Sequence, residues 1–227
     1  PKNLYVPYIF SEEELKKIFK AADELMFVRR NFKCGIFSIP VLLRLLYSTG
    51  MRIGEACSLI NSDVDMSSRI ILVRNTKNKR DRQLPISDSL YQVLEQYLIK
   101  RDKLPLHNMG NPNSPFLISL DGSSLTGVSA RHWFYKILEA SDIDYIPKVG
   151  PRIHDLRHTF AVHVLDKLVK EGVDMHCCLP VLSMALGHKC VSDTEYYVRI
   201  TNQVYPHLSD TTSAISEYVF PTISTMK

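Results

Sequence analysis

Hydrophobic residues recur at helical spacing through most of this sequence, and this spacing constrains the fold more than any other feature. The first example follows Ser11 and Glu14, which lie three residues apart in the pattern of a capping box at a helix start. The apolar residues that come next are spaced as on one face of a helix: Leu15, Ile18, Phe19, Ala22 and Met26. The pattern therefore predicts a helix that begins at Ser11.

The same spacing, together with start and stop residues, predicts further helices along the chain. They run from about 38 to 48, from 52 to 59, from Ser87 or Asp88 to about 98, from 126 to 138, from 154 to 170, from Pro180 to Gly187, and from a second capping box at Ser192 and Glu195. Gly50 is a clear stop signal, because it follows a helical segment at the position where a left-handed residue is needed.

Only one part of the chain has a clear strand composition. Residues 69–74 are rich in β-branched and aliphatic side chains, and a polar link joins them to a second short strand at 82–86. A further strand is predicted at 116–119, after a loop rich in Pro, Asn and Gly. We therefore expect a mainly α fold with a small antiparallel β-sheet, an α+β architecture.

Length and composition favour one globular domain without an evident internal boundary. The 227 residues, 45% of them hydrophobic, can bury one large core or at most two small ones. No stretch approaches the roughly 20 apolar residues that span a bilayer, and no basic-then-apolar leader is evident. Five irregularly spaced cysteines do not form a disulfide framework. We expect a cytoplasmic protein and a fragment of a longer one.

The net charge of +4 is too small to identify a nucleic-acid partner, but the distribution of charge is informative. The link between the two predicted strands and its borders hold a cluster of basic residues with one acid, Asp81, among them. These are Arg74, Lys77, Lys79, Arg80 and Arg82. Such a run suits a phosphate backbone, although a solvated hairpin tip has the same composition.

Two segments combine charged residues at helical spacing. Arg52 and Glu55 lie three apart at a predicted helix start, where an anion is favoured, and a surface ion pair is the alternative. His154 and Arg157 project from an otherwise buried helix, which is costly unless they bind something anionic. His154 and His158 are also four apart, as in zinc sites, but no third ligand is spaced plausibly. No metal site is therefore expected.

A third segment contains Leu186-Gly187-His188, and Tyr197 follows the histidine by nine residues. Alone, His188 is explained as a residue that caps a helix C-terminus. Alone, Tyr197 is explained as half-buried packing. The combination with the two preceding segments favours a catalytic interpretation.

In order and separation, these segments resemble the tyrosine recombinases, or phage integrase family, from Phe10 to about Tyr205. The motifs are Thr-Gly-Met-Arg-Ile-Gly-Glu, a hairpin lysine, His-x-x-Arg, Leu-Gly-His and the tyrosine nine residues after that histidine. The hairpin lysine is identified as Lys77 because Arg82 and Pro85 follow it at the family's offsets. The resemblance implies the fold of the catalytic domain of these enzymes.

The resemblance also implies a role for each matching residue. The catalytic set is Arg52, Lys77, His154, Arg157, His188 and Tyr197. In the family the two arginines clamp the scissile phosphate and the tyrosine is the nucleophile. The leaving 5′ oxygen needs a proton, and the ammonium of Lys77 can deliver it. Glu55 and His158 would support this set, whereas Tyr196 would only pack. We expect Lys79, Arg80 and Arg82 to contact DNA.

The chemistry fits these residue types. Two arginine forks supply bidentate donors for the charge that develops on the phosphate oxygens. A phenol with a pKa of about 10 needs a base and cationic neighbours, and His154 is the candidate base. The phosphotyrosyl ester retains the bond energy, so rejoining requires no ATP, and the arginines replace a metal. We therefore expect no cofactor.

The resemblance further implies domains and partners. Residues 1–10 would be an interdomain lead-in, 11–201 the catalytic domain and 202–227 a tail that docks on a neighbouring protomer. An N-terminal DNA-binding domain would be absent from this fragment. The partners would be double-stranded DNA with specific recombination sites and a homo-tetramer assembled on it, without a membrane.

Three functions fit the sequence. The first is a site-specific recombinase or integrase, by default one that integrates or excises a bacterial mobile element. A type IB topoisomerase-like enzyme uses similar residues, but it works alone, while a recombinase needs paired sites. A non-catalytic DNA-binding module would lack the nucleophile or an arginine, and neither is missing here.

Overall fold

The computed structural model describes residues 6–25, 35–74, 81–146 and 149–204. Within these ranges the chain is mainly helical with one small antiparallel sheet, which confirms the predicted fold class. The helices are α1 (Glu12–Asp23), α2 (Ile39–Thr49), α3 (Ile53–Cys57), α4 (Asp88–Arg101), α5 (Gly127–Ala140), α6 (Asp155–Lys170), α7 (Met175–Leu186) and α8 (Ser192–Val204). The strands are β1 (Val64–Asp65), β2 (Ile70–Val73) and β3 (Arg82–Pro85), and short 3₁₀ helices form at Gly35–Ser38 and Asn61–Asp63.

Local capping explains where the first two helices begin and end. Glu14 N donates to Ser11 Oγ over 3.2 Å, and Ser11 N donates to Glu14 Oε2 over 2.7 Å, so the predicted capping box of α1 is confirmed. Gly50 ends α2 with a φ of 63°. A Cβ at this position would lie 2.4 Å from the Phe160 ring, so both the conformation and the packing require glycine. The predicted apolar position Met26 lies outside the described residues.

The sheet has the order β1-β2-β3, and both pairs are antiparallel. Ile71 and Val73 of β2 and Leu84 of β3 face the core and are buried. The hairpin of β2 and β3 is confirmed, whereas β1 was not predicted because two residues carry no periodicity.

The predicted strand at 116–119 is wrong. Here the described chain makes only isolated bridges, between Ile60 and Pro115 and between Ile118 and Ser124. At Ile118 side chains, not a neighbouring strand, satisfy the backbone. Ser38 Oγ donates to Ile118 O over 2.6 Å, and Ile118 N lies within hydrogen-bond distance of the hydroxyls of Ser38 and Tyr97.

The predicted bounds of the last two helices need correction. Pro180 lies inside α7, which begins five residues earlier at Met175. Proline removes a backbone donor within a helix at a cost of about 3 kcal/mol, and burial of the neighbouring Cys178, Leu179 and Leu182 offsets part of it. The sequence predicted Ser192 as the N-cap residue that precedes α8, whereas Ser192 is the first residue of this helix.

The described residues form two compact units. The first extends to Phe160 and includes Met184–Gly187, and the second contains Ala161–Ser183 and residues 188–204. The sequence showed no internal boundary because the division falls within α6 and α7, where helical periodicity continues without a linker. In the first unit α2 is buried on nearly all sides, and its C-terminus leads directly to Arg52. None of the described helices is long and apolar enough to cross a membrane.

Candidate active site

The backbone of Arg52 lies between the left-handed Gly50 and the start of α3. It follows the left-handed Gly50 by two residues, is itself extended, and directly precedes α3. Glu55 holds it twice, because Arg52 N donates to Oε2 over 2.8 Å and Arg52 Nη1 donates to Oε1 over 2.9 Å. The predicted pairing is therefore present, and the Arg52 side chain remains 29% exposed.

Arg82 is the second arginine bound to Glu55. Its Nη2 donates to Glu55 Oε2 over 2.7 Å and its Nη1 to Oε1 over 3.1 Å. Its Nε donates to Ala185 O over 2.8 Å, and the side chain is only 9% exposed. The structure thus gives Arg82 partners inside the protein, and the DNA contact predicted for it stays a prediction.

Although burial acts in the opposite direction, these hydrogen bonds and charges lower the pKa of Glu55 to about 2. Arg82 makes the strongest of the lowering contacts, and Arg52 adds to it. Glu55 is therefore a carboxylate at neutral pH, and it can only accept hydrogen bonds. It binds the two arginines and cannot act as a general acid.

Arg157 enters the site from the first turn of α6. Its Nη1 donates to Gly50 O and its Nη2 to Leu186 O, each over 2.7 Å. The residue is 3% exposed, so the second arginine of the predicted clamp is more deeply buried than Arg52. Buried guanidinium groups require such partners because an unsatisfied charge in the interior is costly.

His154 lies beside the arginines and packs edge to face against His158, with ring centroids 5.0 Å apart. His154 is an exposed residue. Partial burial, and then the positive charges of Arg157 and Arg52, lower the pKa of His154 to about 4. The ring is neutral at pH 7, as a proton acceptor must be. Among the described residues, no group of three His, Cys, Asp or Glu side chains is arranged to hold a metal ion.

The lowered pKa of His154 predicts a pH dependence of stability. Between pH 6.5, its usual value, and about pH 4 the unfolded chain binds the proton and the folded chain does not. The free energy of unfolding should therefore fall as the pH is lowered through this window, with no further loss from His154 below it. Because His154 is exposed and solvent screens its charge, we expect a loss of no more than about 1 kcal/mol.

This dependence can be measured by urea unfolding from pH 7 to pH 4. His154→Asn should flatten the decrease, and the matched variant of an exposed histidine, His107→Asn, should not. The same slope in wild type and His154→Asn would contradict the assignment of the neutral ring to His154.

His188 and Tyr197 lie together in the second unit. Their rings are nearly parallel, 6° apart, with centroids separated by 6.1 Å. His188 Nδ1 is 2.8 Å from Thr194 Oγ1, and the Thr201 hydroxyl donates to Tyr197 O over 2.7 Å. Thr194 and Thr201 are fully buried, and Tyr197 is 3% exposed. Helix α8 thus fixes the backbone of Tyr197 and, through Thr194, the orientation of His188.

Tyr196 differs from its neighbour. It is half-buried, its ring centroid is 6.1 Å from that of Tyr197, and the planes are tilted by 57°. Burial raises the pKa of its phenol.

The predicted Lys77, Lys79 and Arg80 lie outside the described residues.

Residues 9–203 match the phage integrase family. The chain belongs to this family. The tyrosine recombinase XerA of Pyrococcus horikoshii is 30% identical over 205 residues, which are 89% of this chain and 60% of that protein. This phage integrase family chain therefore spans about 60% of the length of such a curated relative.

Two solved structures have the same fold. The XerH site-specific recombinase bound to palindromic difH substrate, a post-cleavage complex, has a TM-score of 0.66 and 23% identity, covering 93% of this chain and 54% of that one. The catalytic domain of bacteriophage HP1 integrase has a TM-score of 0.57 and 24% identity, covering 97% of this chain and 98% of that one. The second comparison spans nearly the whole of both chains.

In this phage integrase family member, the described site residues form one group in each unit. The first unit brings together Arg52, Glu55, His154 and Arg157, and the second brings together His188 and Tyr197. Sequence reasoning missed the contact of Thr194 with His188 and the inward position of Arg82. No helical or strand spacing rule indicates either, because Thr194 reaches His188 across an irregular turn before α8 and Arg82 reaches Glu55 from a distant strand.

Proposed function

We propose that this chain is the catalytic region of a site-specific DNA recombinase that integrates or excises a mobile element. It would cleave one DNA strand by forming a 3′-phosphotyrosyl ester and rejoin the strand by the reverse reaction. Family membership and the recombinase names of its relatives support this proposal. XerH, which shares the fold, was solved on its difH substrate after cleavage.

The observation that carries the proposal is the arrangement of Arg52, Arg157 and His154. Two guanidinium groups are held by backbone carbonyls and a carboxylate, and a neutral imidazole lies beside them. Fixed cationic donors can stabilise the negative charge that an anion gains as it reacts, and a neutral base beside them can accept a proton. A phosphodiester attacked by a phenol is such an anion.

Each bond change has a proposed residue. The Tyr197 oxygen would attack phosphorus as its proton passes to His154, while Arg52 and Arg157 bind the non-bridging oxygens. The bond from phosphorus to the 5′ oxygen would break, and Lys77 would give that oxygen its proton. His188 would bind the same phosphate. Attack by a 5′ hydroxyl on the tyrosyl ester would then restore the strand without ATP.

The partners are part of the proposal. Double-stranded DNA with recombination sites would be bound in part by Lys79 and Arg80. Four protomers would assemble on two such sites, with the tail at 202–227 docked on a neighbour. The place of action would be the cytoplasm.

The test uses the full-length protein encoded by the gene and the DNA that flanks the gene in its genome. Nicked duplexes from these flanks should yield a protein–DNA adduct that survives denaturant and is removed by protease. Plasmids carrying two such sites should yield recombinants, and plasmids carrying one should not.

Two other outcomes would replace this proposal. Relaxation of supercoiled plasmids that carry no flanking DNA would indicate a type IB topoisomerase-like enzyme. Tight binding to the flanks without any adduct on nicked duplexes would indicate a DNA-binding module.

A further inference from the structure

Three consecutive carbonyls at the end of α7 accept hydrogen bonds from three different arginines. Arg82 Nε donates to Ala185 O over 2.8 Å, Arg157 Nη2 to Leu186 O over 2.7 Å, and Arg52 Nη2 to Gly187 O over 3.2 Å. Carbonyls in the last turn of a helix lack intrahelical partners and carry its negative end. They therefore form a row of acceptors that fixes the relative positions of three guanidinium groups.

Arg82 closes a ring of contacts around Arg52. Glu55 bridges the two arginines, and the short segment from Ala185 to Gly187 bridges them again on the other side. Both supports of the Arg52 guanidinium, Glu55 and Gly187 O, are thus held in place by Arg82. The guanidinium of Arg52 contacts only one oxygen of Glu55, because Nη1 donates to Oε1 and the bond to Oε2 comes from the backbone N of Arg52.

The glycine of Leu-Gly-His permits this arrangement. A Cβ at Gly187 would lie 2.8 Å from Arg82 Nη1 and 3.1 Å from Arg82 Cζ, and the φ of 66° also favours glycine. The guanidinium of Arg82 therefore packs directly against the backbone that carries the acceptor of Arg52.

The charges indicate why a second arginine is useful here. With Glu55 paired to Arg52 alone, the carboxylate would neutralise the cation that is to bind phosphate. Because Arg82 takes both carboxylate oxygens, Glu55 orients Arg52 while the cluster of Arg52, Arg82 and Arg157 keeps an excess of positive charge. A preorganised cationic site needs no rearrangement when charge develops.

We propose that Arg82 is a positioning residue for DNA cleavage, which acts by holding Glu55 and the Ala185–Gly187 carbonyls so that Arg52 faces the phosphate. This inference rests on the proposed function. It assigns Arg82 no contact with DNA.

The test compares Arg82→Lys with wild type on a nicked duplex that carries the site. A lysine can reach Glu55 but cannot also donate to Ala185 O from a planar fork. We expect the single-turnover cleavage rate at saturating DNA to fall about tenfold, and the Kd for DNA to stay within about twofold. The double variant Arg52→Lys/Arg82→Lys should cleave no more slowly than Arg52→Lys, because Arg82 acts through Arg52.

The chain offers a matched control. Arg44 donates from Nη1 and Nη2 to both oxygens of Asp23 and from Nη1 to Pro40 O, which is the same chemistry away from the site. Arg44→Lys should leave cleavage unchanged. If Arg82→Lys does not fold, Arg82→Gln is the second variant, because its amide can still donate to Glu55, and it should show the same loss of rate.

The outcomes separate the two proposals. If wild type forms no adduct, the proposed function fails. If wild type cleaves and a folded Arg82 variant cleaves equally fast, the positioning role is wrong. A Kd raised about tenfold, with a salt dependence reduced by about one phosphate contact, would mean that Arg82 binds DNA and would also overturn it.

Discussion

Replacement of Tyr197 by phenylalanine is expected to abolish the covalent adduct with DNA completely. The substitution removes one oxygen and leaves the buried ring, its nearly parallel contact with His188 and the hydrogen bond from Thr201 to its carbonyl in place. The folded structure should therefore persist, and so should binding to DNA. Only the oxygen that would attack phosphorus is lost, so we expect no residual formation of the adduct.

The matched variant is Tyr196→Phe. Tyr196 is adjacent in α8 and is half-buried, so this variant removes the same atom from the same helix. It should form the adduct at nearly the wild-type rate. Both proteins are incubated with the nicked duplex, and the adduct is separated by denaturing electrophoresis. An adduct formed by Tyr197→Phe and lost in Tyr196→Phe would reverse the assignment.

Sequence reasoning predicted most reliably what depends on neighbours along the chain. The capping box of Ser11 and Glu14 and the left-handed Gly50 are each defined within a few residues, and both are present. The pairing of Arg52 with Glu55 also follows from a spacing of three. In each case the local pattern and the tertiary packing require the same conformation.

The errors occur where distant groups override a local signal. The apolar run at 116–119 resembles a strand, but Ser38 and Tyr97 satisfy the backbone at Ile118 from far along the chain. Pro180 resembles a helix start, but burial of its neighbours retains it inside α7. The contact of Arg82 with Glu55 was missed rather than predicted wrongly, because a basic run in the sequence does not distinguish a side chain that turns inward.

A lysine at either predicted clamp position should slow cleavage strongly. Arg52→Lys and Arg157→Lys each keep the positive charge and lose the planar fork, so an ammonium cannot hold two phosphate oxygens while keeping its partners in the protein. We expect the single-turnover rate at saturating DNA to fall by at least about tenfold, and by up to about a hundredfold, for each variant. Arg44→Lys, assayed in parallel, should cleave normally.

The two variants should differ in stability, and this difference follows from their surroundings. Arg157 is buried and donates to Gly50 O and Leu186 O, so a lysine leaves one buried carbonyl without its partner, at a cost of about 1–3 kcal/mol. Arg52 is 29% exposed, and water can replace its lost contacts. Urea unfolding should therefore show a clear destabilisation for Arg157→Lys and little for Arg52→Lys, while both lose cleavage. Near-normal cleavage by both folded variants would remove these arginines from the phosphate site. Loss of cleavage only in the destabilised variant would leave Arg157 with a structural role alone.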